Sequence, residues 1–396
     1  LKVAHLGIDS VVSIVDDVLI EKMRRMLCSQ FDLTYSAISE KMEDFRAKRI
    51  TSYLNLLNDL VTARFNDLKN GSRDSLKEIR KYLDLLPNNE ELIAQFKTLT
   101  NNFDSLADLR TWLDRNLAPG SIDVNIMTKL DKPNHFEGQL LGHEHNDAHA
   151  ALRGYAKSEL ESSVVFSAGM NPRLYSYLER FDDFFPDSNG KIKKKVILKV
   201  SDYRSALIQG KFLAKKGIWV SEFRIESGLN CGGHAFATEG SLMGPILEEF
   251  VGTRKELAET LENVLIDALR DKNRIIPKTS PTIRITAQGG VGTAEEHRLL
   301  IERYELDSVG WGSPFLLVPE ATTVDQETLG KLVAADEKDL YLSNISPLGV
   351  PFNNLKDNSK DMEKTEKIEA GRPGSPCPKE YLALHAQPGS RSLCTA

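Results

Sequence analysis

"KKVILKVSDYRSALIQGKFLAKKGIWVSEFRI", residues 194–225, decides the fold class. Val196, Ile197, Leu198 and Val200 make one short apolar run, and Trp219, Val220, Phe223 and Ile225 make another. Between them Ala206, Leu207, Phe212 and Leu213 recur on one helical face, and Gly217 closes that segment. A strand, a helix and a second strand in this order imply a parallel βαβ unit. Its strands are covered on both faces and so read as continuous apolar runs.

Outward from this unit the same texture repeats. "SIDVNIM" and "SSVVFSAG" precede it, and "TIRITAQGG" and "DSVGWGSPF" follow it, with the helical piece "GPILEEFVGTRKELAETLENVLIDALRDKN" between. A (β/α)8 barrel fits best, with a doubly wound open sheet as the runner-up. Residues 1–118 read differently: "KVAHLGI" is the one expected strand, and helices follow. Met42, Phe45, Ile50, Tyr53, Leu57, Leu60, Phe65 and Leu68 share a helical face that stops at Asn70 and Gly71. The expected division is a mainly helical region over 1–118, a barrel core over 119–352 and a polar tail over 353–396.

Bulk properties narrow the function classes. The chain has 396 residues, 41% hydrophobic and 27% charged, which is the composition of an ordinary globular protein able to bury a core. A net charge of −6 argues against nucleic acid as the main partner, and the basic run "KIKKK" at 191–195 reads as a solvated approach to a strand. Four cysteines without CxxC spacing favour a reducing compartment, and the cytoplasm is the expected location. No apolar run is long enough to span a bilayer, so no membrane partner is expected; a small-molecule substrate is, and a homo-oligomer stays open.

Ligands of parallel α/β folds bind at the carboxyl ends of strands, which is where this sequence is unusual. After "TIRIT" comes "AQGGVGTAEE", where Gly289, Gly290 and Gly292 lead into a helix beginning near Thr293. Backbone N–H groups at a helix start, free of side chains, suit a phosphate. After "DSV" comes "GWGSPF", where Gly310 and Gly312 clear space and Ser313 carries a hydroxyl. No GKS or GKT element accompanies either loop, and no GxGxxG follows the first strand.

After the strand "GIWVSEFRI" comes "ESGLNCGGHAFATEG". Gly232 and Gly233 let the backbone pass close to a flat ligand, and His234 exchanges protons near neutral pH, or else is a histidine hydrogen-bonded in a turn. Cys231 reads as a small buried hydrophobe. "GHEHNDAHAALRG", residues 142–154, holds His143, His145 and His149 beside Glu144 and Asp147. The reading is a polar loop in which Asn146 or Asp147 caps the following helix, and no metal site is expected.

"ESGLNCGGHAF", then "ITAQGGVGTAEE", then "LDSVGWGSPFLLVPEA" resemble, in order, the FMN-dependent barrels of the nitronate monooxygenase (2-nitropropane dioxygenase) family, which includes FMN-dependent enoyl reductases. The resemblance spans roughly residues 120–320. It implies FMN as cofactor, His234 as catalytic acid or base beside the flavin, and Gly289 and Gly290 as holders of the phosphate, helped by Gly312 and Ser313. It further implies that Asn125 faces the flavin ring and that Lys199 approaches the flavin or its phosphate. The expected function is an FMN-dependent oxidoreductase, a monooxygenase or reductase, acting on a small organic substrate. The alternatives are a flavin-free barrel isomerase or lyase acting on a sugar phosphate or nucleotide, and a non-catalytic ligand-binding scaffold.

Overall fold

The computed structural model describes residues 2–69, 73–86, 89–101, 106–136, 138–167, 169–226, 243–289, 291–318, 324–344 and 352–374. Seven parallel strands run in chain order through one sheet: β1 (Ser10–Ser13), β2 (Ile122–Met127), β3 (Ser163–Ser167), β4 (Lys195–Val200), β5 (Val220–Ile225), β6 (Arg284–Gln288) and β7 (Ser308–Gly310). The six apolar runs read from residue 121 onward all become strands. An eighth strand in this parallel sheet, as a (β/α)8 ring needs, is not among the described residues, whose other strands form two separate antiparallel pairs, His135–Phe136 with Gln139–Leu140 and Leu340–Ser343 with Phe352–Leu355. The architecture is therefore a parallel α/β sheet with helical crossovers.

The helices are α1 (Asp17–Gln30), α2 (Phe45–Leu68), α3 (Arg73–Leu85), α4 (Glu90–Asn101), α5 (Leu106–Asn116), α6 (Asp147–Ala156), α7 (Pro172–Tyr177), α8 (Tyr203–Ala214), α9 (Met243–Asp271), α10 (Ala294–Arg303), α11 (Gln326–Ala334) and α12 (Ser359–Glu369). None of the described helices is long and apolar enough to cross a membrane. The chain divides into two compact units. Unit 1 takes Leu1–Leu198, Gln209–Ser221 and Glu259–Ile283; unit 2 takes Lys199–Ile208, Glu222–Ala258 and Arg284–Ala396.

In unit 1 the sheet register sets Ser10 beside Ile122, Val124 beside Val164, and Ser163 beside Lys195. All five residues of β3 are buried, because a strand covered on both faces has no solvated side. Helix α6 packs on α2 through Gly154, where a Cβ would lie 2.8 Å from Ile50 Cβ and 2.9 Å from the Ala47 carbonyl oxygen. Only a glycine permits that approach. A separate apolar cluster of Leu6, Phe65, Leu68, Ile79, Leu83, Phe96 and Leu113 joins the N-terminal helices. Each leucine fully buried there contributes roughly 1.5–3 kcal/mol.

The N-terminal region departs from its expected pattern at the start. Ala4–Leu6 form a 3-10 turn that ends at Gly7 with φ of 80°, and the strand lies later, at Ser10–Ser13. Helix α1, capped by the Asp16 carboxylate on the amides of Val18 and Leu19, follows that strand. At the other end, the tail that begins at residue 353 holds part of an antiparallel pair, Leu340–Ser343 with Phe352–Leu355, and then α12.

Candidate functional site

Unit 2 carries most of the described residues singled out from the sequence. Strand β5 alternates: Phe223 and Ile225 are fully buried, whereas Glu222, Arg224 and Glu226 fall on the opposite face. Glu222 accepts hydrogen bonds from Thr286 Oγ1 at 2.7 Å and from Arg224 Nε at 2.9 Å. One step toward the carboxyl end, Lys199 Nζ lies 2.8 Å from Glu226 Oε2, with side chains 19% and 10% exposed.

Strand registers make these ends level. The Glu226 amide donates to the Val200 carbonyl at 3.0 Å, Ile225 pairs with Ala287, and Gln288 pairs with Gly310. Lys199, Glu226, Gly289 and the loop after Gly310 thus open on one end of four neighbouring strands, β4 to β7, spaced about 4.8 Å apart. Gly289 takes φ of 90°, a left-handed conformation that favours glycine, and its amide donates to the Gly310 carbonyl at 3.2 Å.

The start of α10 is a capping box. The Glu296 amide donates to Thr293 Oγ1 at 3.2 Å, and Glu296 Oε2 accepts from the amides of Gly292 at 2.8 Å and Thr293 at 3.0 Å. These two backbone donors hold the Glu296 carboxyl below the usual carboxylate range. An anion reaching this loop therefore meets a carboxylate already seated on its amides. Trp311 Nε1 donates to His297 Nδ1 at 2.7 Å, tying the loop after β7 to α10. A Cβ at Gly312 would meet nothing within 4 Å among the described residues, and Ser313 begins the 3-10 turn Ser313–Leu317.

Of the sequence-derived site residues, Lys199, Gly289, Gly292, Gly312 and Ser313 all belong to unit 2. Asn125 belongs to unit 1; it is half-buried on β2, and its Nδ2 donates to Ser13 Oγ at 3.4 Å. His234, Gly232, Gly233, Cys231 and Gly290 lie outside the described residues.

Unit 1 has its own polar cluster at the carboxyl ends of β2 and β3, and sequence reasoning missed its central member. Neither Asn146 nor Asp147 caps α6 through its side chain. Asp131, in the turn after β2, does so instead, its Oδ1 accepting from the Ala148 amide at 3.0 Å and the His149 amide at 3.3 Å. Asp131 Oδ2 also lies 2.9 Å from His149 Nδ1. Burial pushes the Asp131 carboxyl up, but the hydrogen bond and charge of His149 and the backbone donor outweigh it, and the group sits below its ordinary value.

A carboxylate only accepts, so Nδ1 carries the proton in the neutral ring and Nε2 is left as an acceptor. His149 is 0% exposed, and its Nε2 has no hydrogen-bond partner among the described residues. The carboxylate thus orients a buried ring whose second nitrogen no solvent touches. Asp147 is tied down by Asn134 Nδ2 at 2.8 Å and Arg46 Nε at 3.3 Å. Among the described residues no three His, Cys, Asp or Glu side chains converge as a metal site. The available signal for Asp131 was its place just past a strand end, the location already inspected in the later strands.

No family model matches the chain, and no curated protein does. Among solved structures the chain is similar to the enoyl reductase domain of MlnA from the macrolactin biosynthesis cluster of Bacillus amyloliquefaciens. The TM-score is 0.40 at 18% sequence identity, over 76% of this chain and 61% of that one. This chain therefore spans less than two thirds of that domain, and a likeness so shallow assigns no family and carries no function across.

Proposed function

We propose that this chain is an FMN-dependent oxidoreductase built on a (β/α)8 barrel, acting on a small organic substrate. The observation that carries the reading is the level set of strand ends in unit 2. A lysine and glycine-bearing loops open side by side there, where parallel α/β folds take their ligands. The order of the sequence elements 224–240, 282–296 and 306–321 supports it.

The residues present fit a phosphate-bearing flavin. The glycines keep Cβ atoms out of the loops: among the described residues, a Cβ at Gly292 would find its nearest neighbour, Glu296 Oε2, at 3.8 Å, and one at Gly312 would find none within 4 Å. In this reading the loops of Gly290, Gly292, Gly312 and Ser313 would hold the phosphate, the amides of Gly292 and Thr293 that now meet Glu296 would be its donors, and Gly289 sets the turn. Lys199 supplies positive charge to an anionic group of the cofactor. FMN, when bound, would supply the hydride or electron transfer, and His234, which follows Gly232 and Gly233, would move a proton to or from the substrate.

A visible absorption spectrum of the purified protein, followed by titration with FMN, tests this. Flavin bands, or saturable uptake of added FMN, are expected. A colourless protein that ignores FMN sinks the proposal, and if that protein still binds inorganic phosphate, a flavin-free sugar-phosphate barrel replaces it. His234→Ala is expected to keep FMN and lose turnover; unchanged turnover removes His234 from the chemistry.

A further inference from the structure

The face of β5 and β6 that carries Glu222, Arg224 and Glu226 is an ionic ladder. Glu222 is committed to Arg224 and Thr286, and Arg284 NH1 lies 3.6 Å from it on the other side. Glu226 has a different commitment. Its carboxylate holds Lys199 at 2.8 Å, and its own amide is fixed to Val200, so the pair is pinned at the very end of β4 and β5.

A mostly buried lysine–glutamate pair is a poor source of net stability, because desolvation of both charges cancels most of their attraction. Position gives the pair a better rationale. Glu226 is level with Gln288, one residue before Gly289, so the carboxylate that holds this lysine sits beside the loop expected to receive an anion.

We infer that Lys199 and Glu226 form a charge latch: Glu226 neutralises Lys199 while the site is empty, and an anionic group of the ligand takes the place of Glu226 on Lys199 Nζ. The inference rests on the reading that an anionic cofactor binds at these strand ends. No bond is made or broken; one ion pair is exchanged for another, and the displaced carboxylate has Arg224 two residues back on its own face. Glu226 is thus a positioning residue that sets the affinity of the site without needing to touch the ligand.

The test is a double-mutant cycle read by FMN titration, with inorganic phosphate as a second probe. Glu226→Gln keeps size and backbone and removes the charge, and it is expected to tighten FMN by about tenfold, the effect of freeing one ammonium from a competing carboxylate at close range. Lys199→Met is expected to weaken FMN by a similar factor. On the Lys199→Met background the Glu226→Gln change is expected to do nothing, since Glu226 acts through Lys199.

If wild type binds FMN and Glu226→Gln binds it no more tightly, the latch is overturned while the cofactor reading stands. Tightening that persists without Lys199 also overturns it, because Glu226 then acts through charge alone. If wild type and variants bind neither FMN nor phosphate, the cofactor reading fails and the latch with it. Should Glu226→Gln not fold, Glu226→Met, of similar length and uncharged, carries the same measurement.

Discussion

The carboxyl ends of the strands treat charge differently in the two units. In unit 1 the acids serve architecture: Asp131 caps α6 and holds His149, Asp147 is fastened by Asn134 and Arg46, and Asp17 is fastened by Arg49 at 2.7 Å. Unit 2 presents Glu226 on a lysine and Glu296 on loop amides, donors that a bound anion uses equally well. Carboxylates of the first kind are expensive to remove. Those of the second kind are expected to change binding more than folding.

The largest expected effect sharpens this contrast. The Asp17 side chain is 2% exposed, and Arg49, 9% exposed, depends on it. Asp17→Ala removes the close carboxylate and leaves that guanidinium with the Ile38 carbonyl at 3.0 Å and the exposed Glu40 at 3.6 Å, and is expected to cost about 3 kcal/mol. Urea denaturation measures this. A loss below about 1 kcal/mol would remove the distinction between structural and exchangeable carboxylates.

A buried lysine in unit 1 gives the next effect, and its sign is opposite to the usual one. Lys194 is 0% exposed, and its ammonium donates to the Tyr155 carbonyl at 3.0 Å, the Ser158 carbonyl at 2.8 Å and Ser158 Oγ at 3.1 Å, closing the last turn of α6. Burial, with the neighbouring Lys193 charge, pushes this ammonium down to about 8 from 10.5, against the pull of Asp183 and Glu161. Between these two values the unfolded chain binds more protons than the folded one, so stability rises with pH across the window. The penalty is fully present below the lower value and relieved by the upper, a change on the order of 3 kcal/mol. Denaturant midpoints for wild type and Lys194→Met, compared across that range, are expected to diverge in favour of wild type as pH rises. A constant difference would contradict the assignment.

Glycines separate the units on a smaller scale. Gly154→Ala drives a methyl group into Ile50 and the Ala47 carbonyl and is expected to cost about 1–3 kcal/mol. Gly312→Ala meets nothing within 4 Å among the described residues and is expected to stay within about 0.5 kcal/mol of wild type. Thermal melts of the two variants side by side check the pair, and equal losses would mean that Gly312 packs tightly after all.

What the sequence disclosed follows from range. Runs such as Ser163–Ser167 and Lys195–Val200 are local and buried on both faces, so they were legible as strands at once. The opening strand was misplaced because "KVAHLGI" has the apolar content of a strand while Gly7 bends it into a turn, and the short "SVVS" lies between acidic residues. The pairing of Asp131 with His149 bridges the antiparallel pair His135–Phe136 with Gln139–Leu140, and that of Glu226 with Lys199 bridges α8. Spacing along the chain does not encode such contacts. "GTAEE" was ambiguous in another way: its glycine and helix start suit a phosphate, and its Thr293-x-x-Glu296 pattern is equally a capping box, which the structure contains.

Glu296 provides the finest test of the contrast. Its carboxyl is held below the usual range by the amides of Gly292 and Thr293, so its contribution to stability is present above the ordinary carboxyl value of 4.5 and is lost as pH falls through the lower folded value. Glu296→Ala is expected to destabilise the protein slightly at neutral pH and to remove that acid-sensitive increment, both visible in melts across acidic pH. The same change vacates the two amides and removes a negative charge from the helix start. Inorganic phosphate, titrated by calorimetry at fixed salt, is therefore expected to bind about two- to fivefold more tightly to the variant. Unchanged phosphate affinity together with the lost acid sensitivity would make Glu296 a cap and nothing more. The exchangeable carboxylates of unit 2 would then reduce to Glu226 alone.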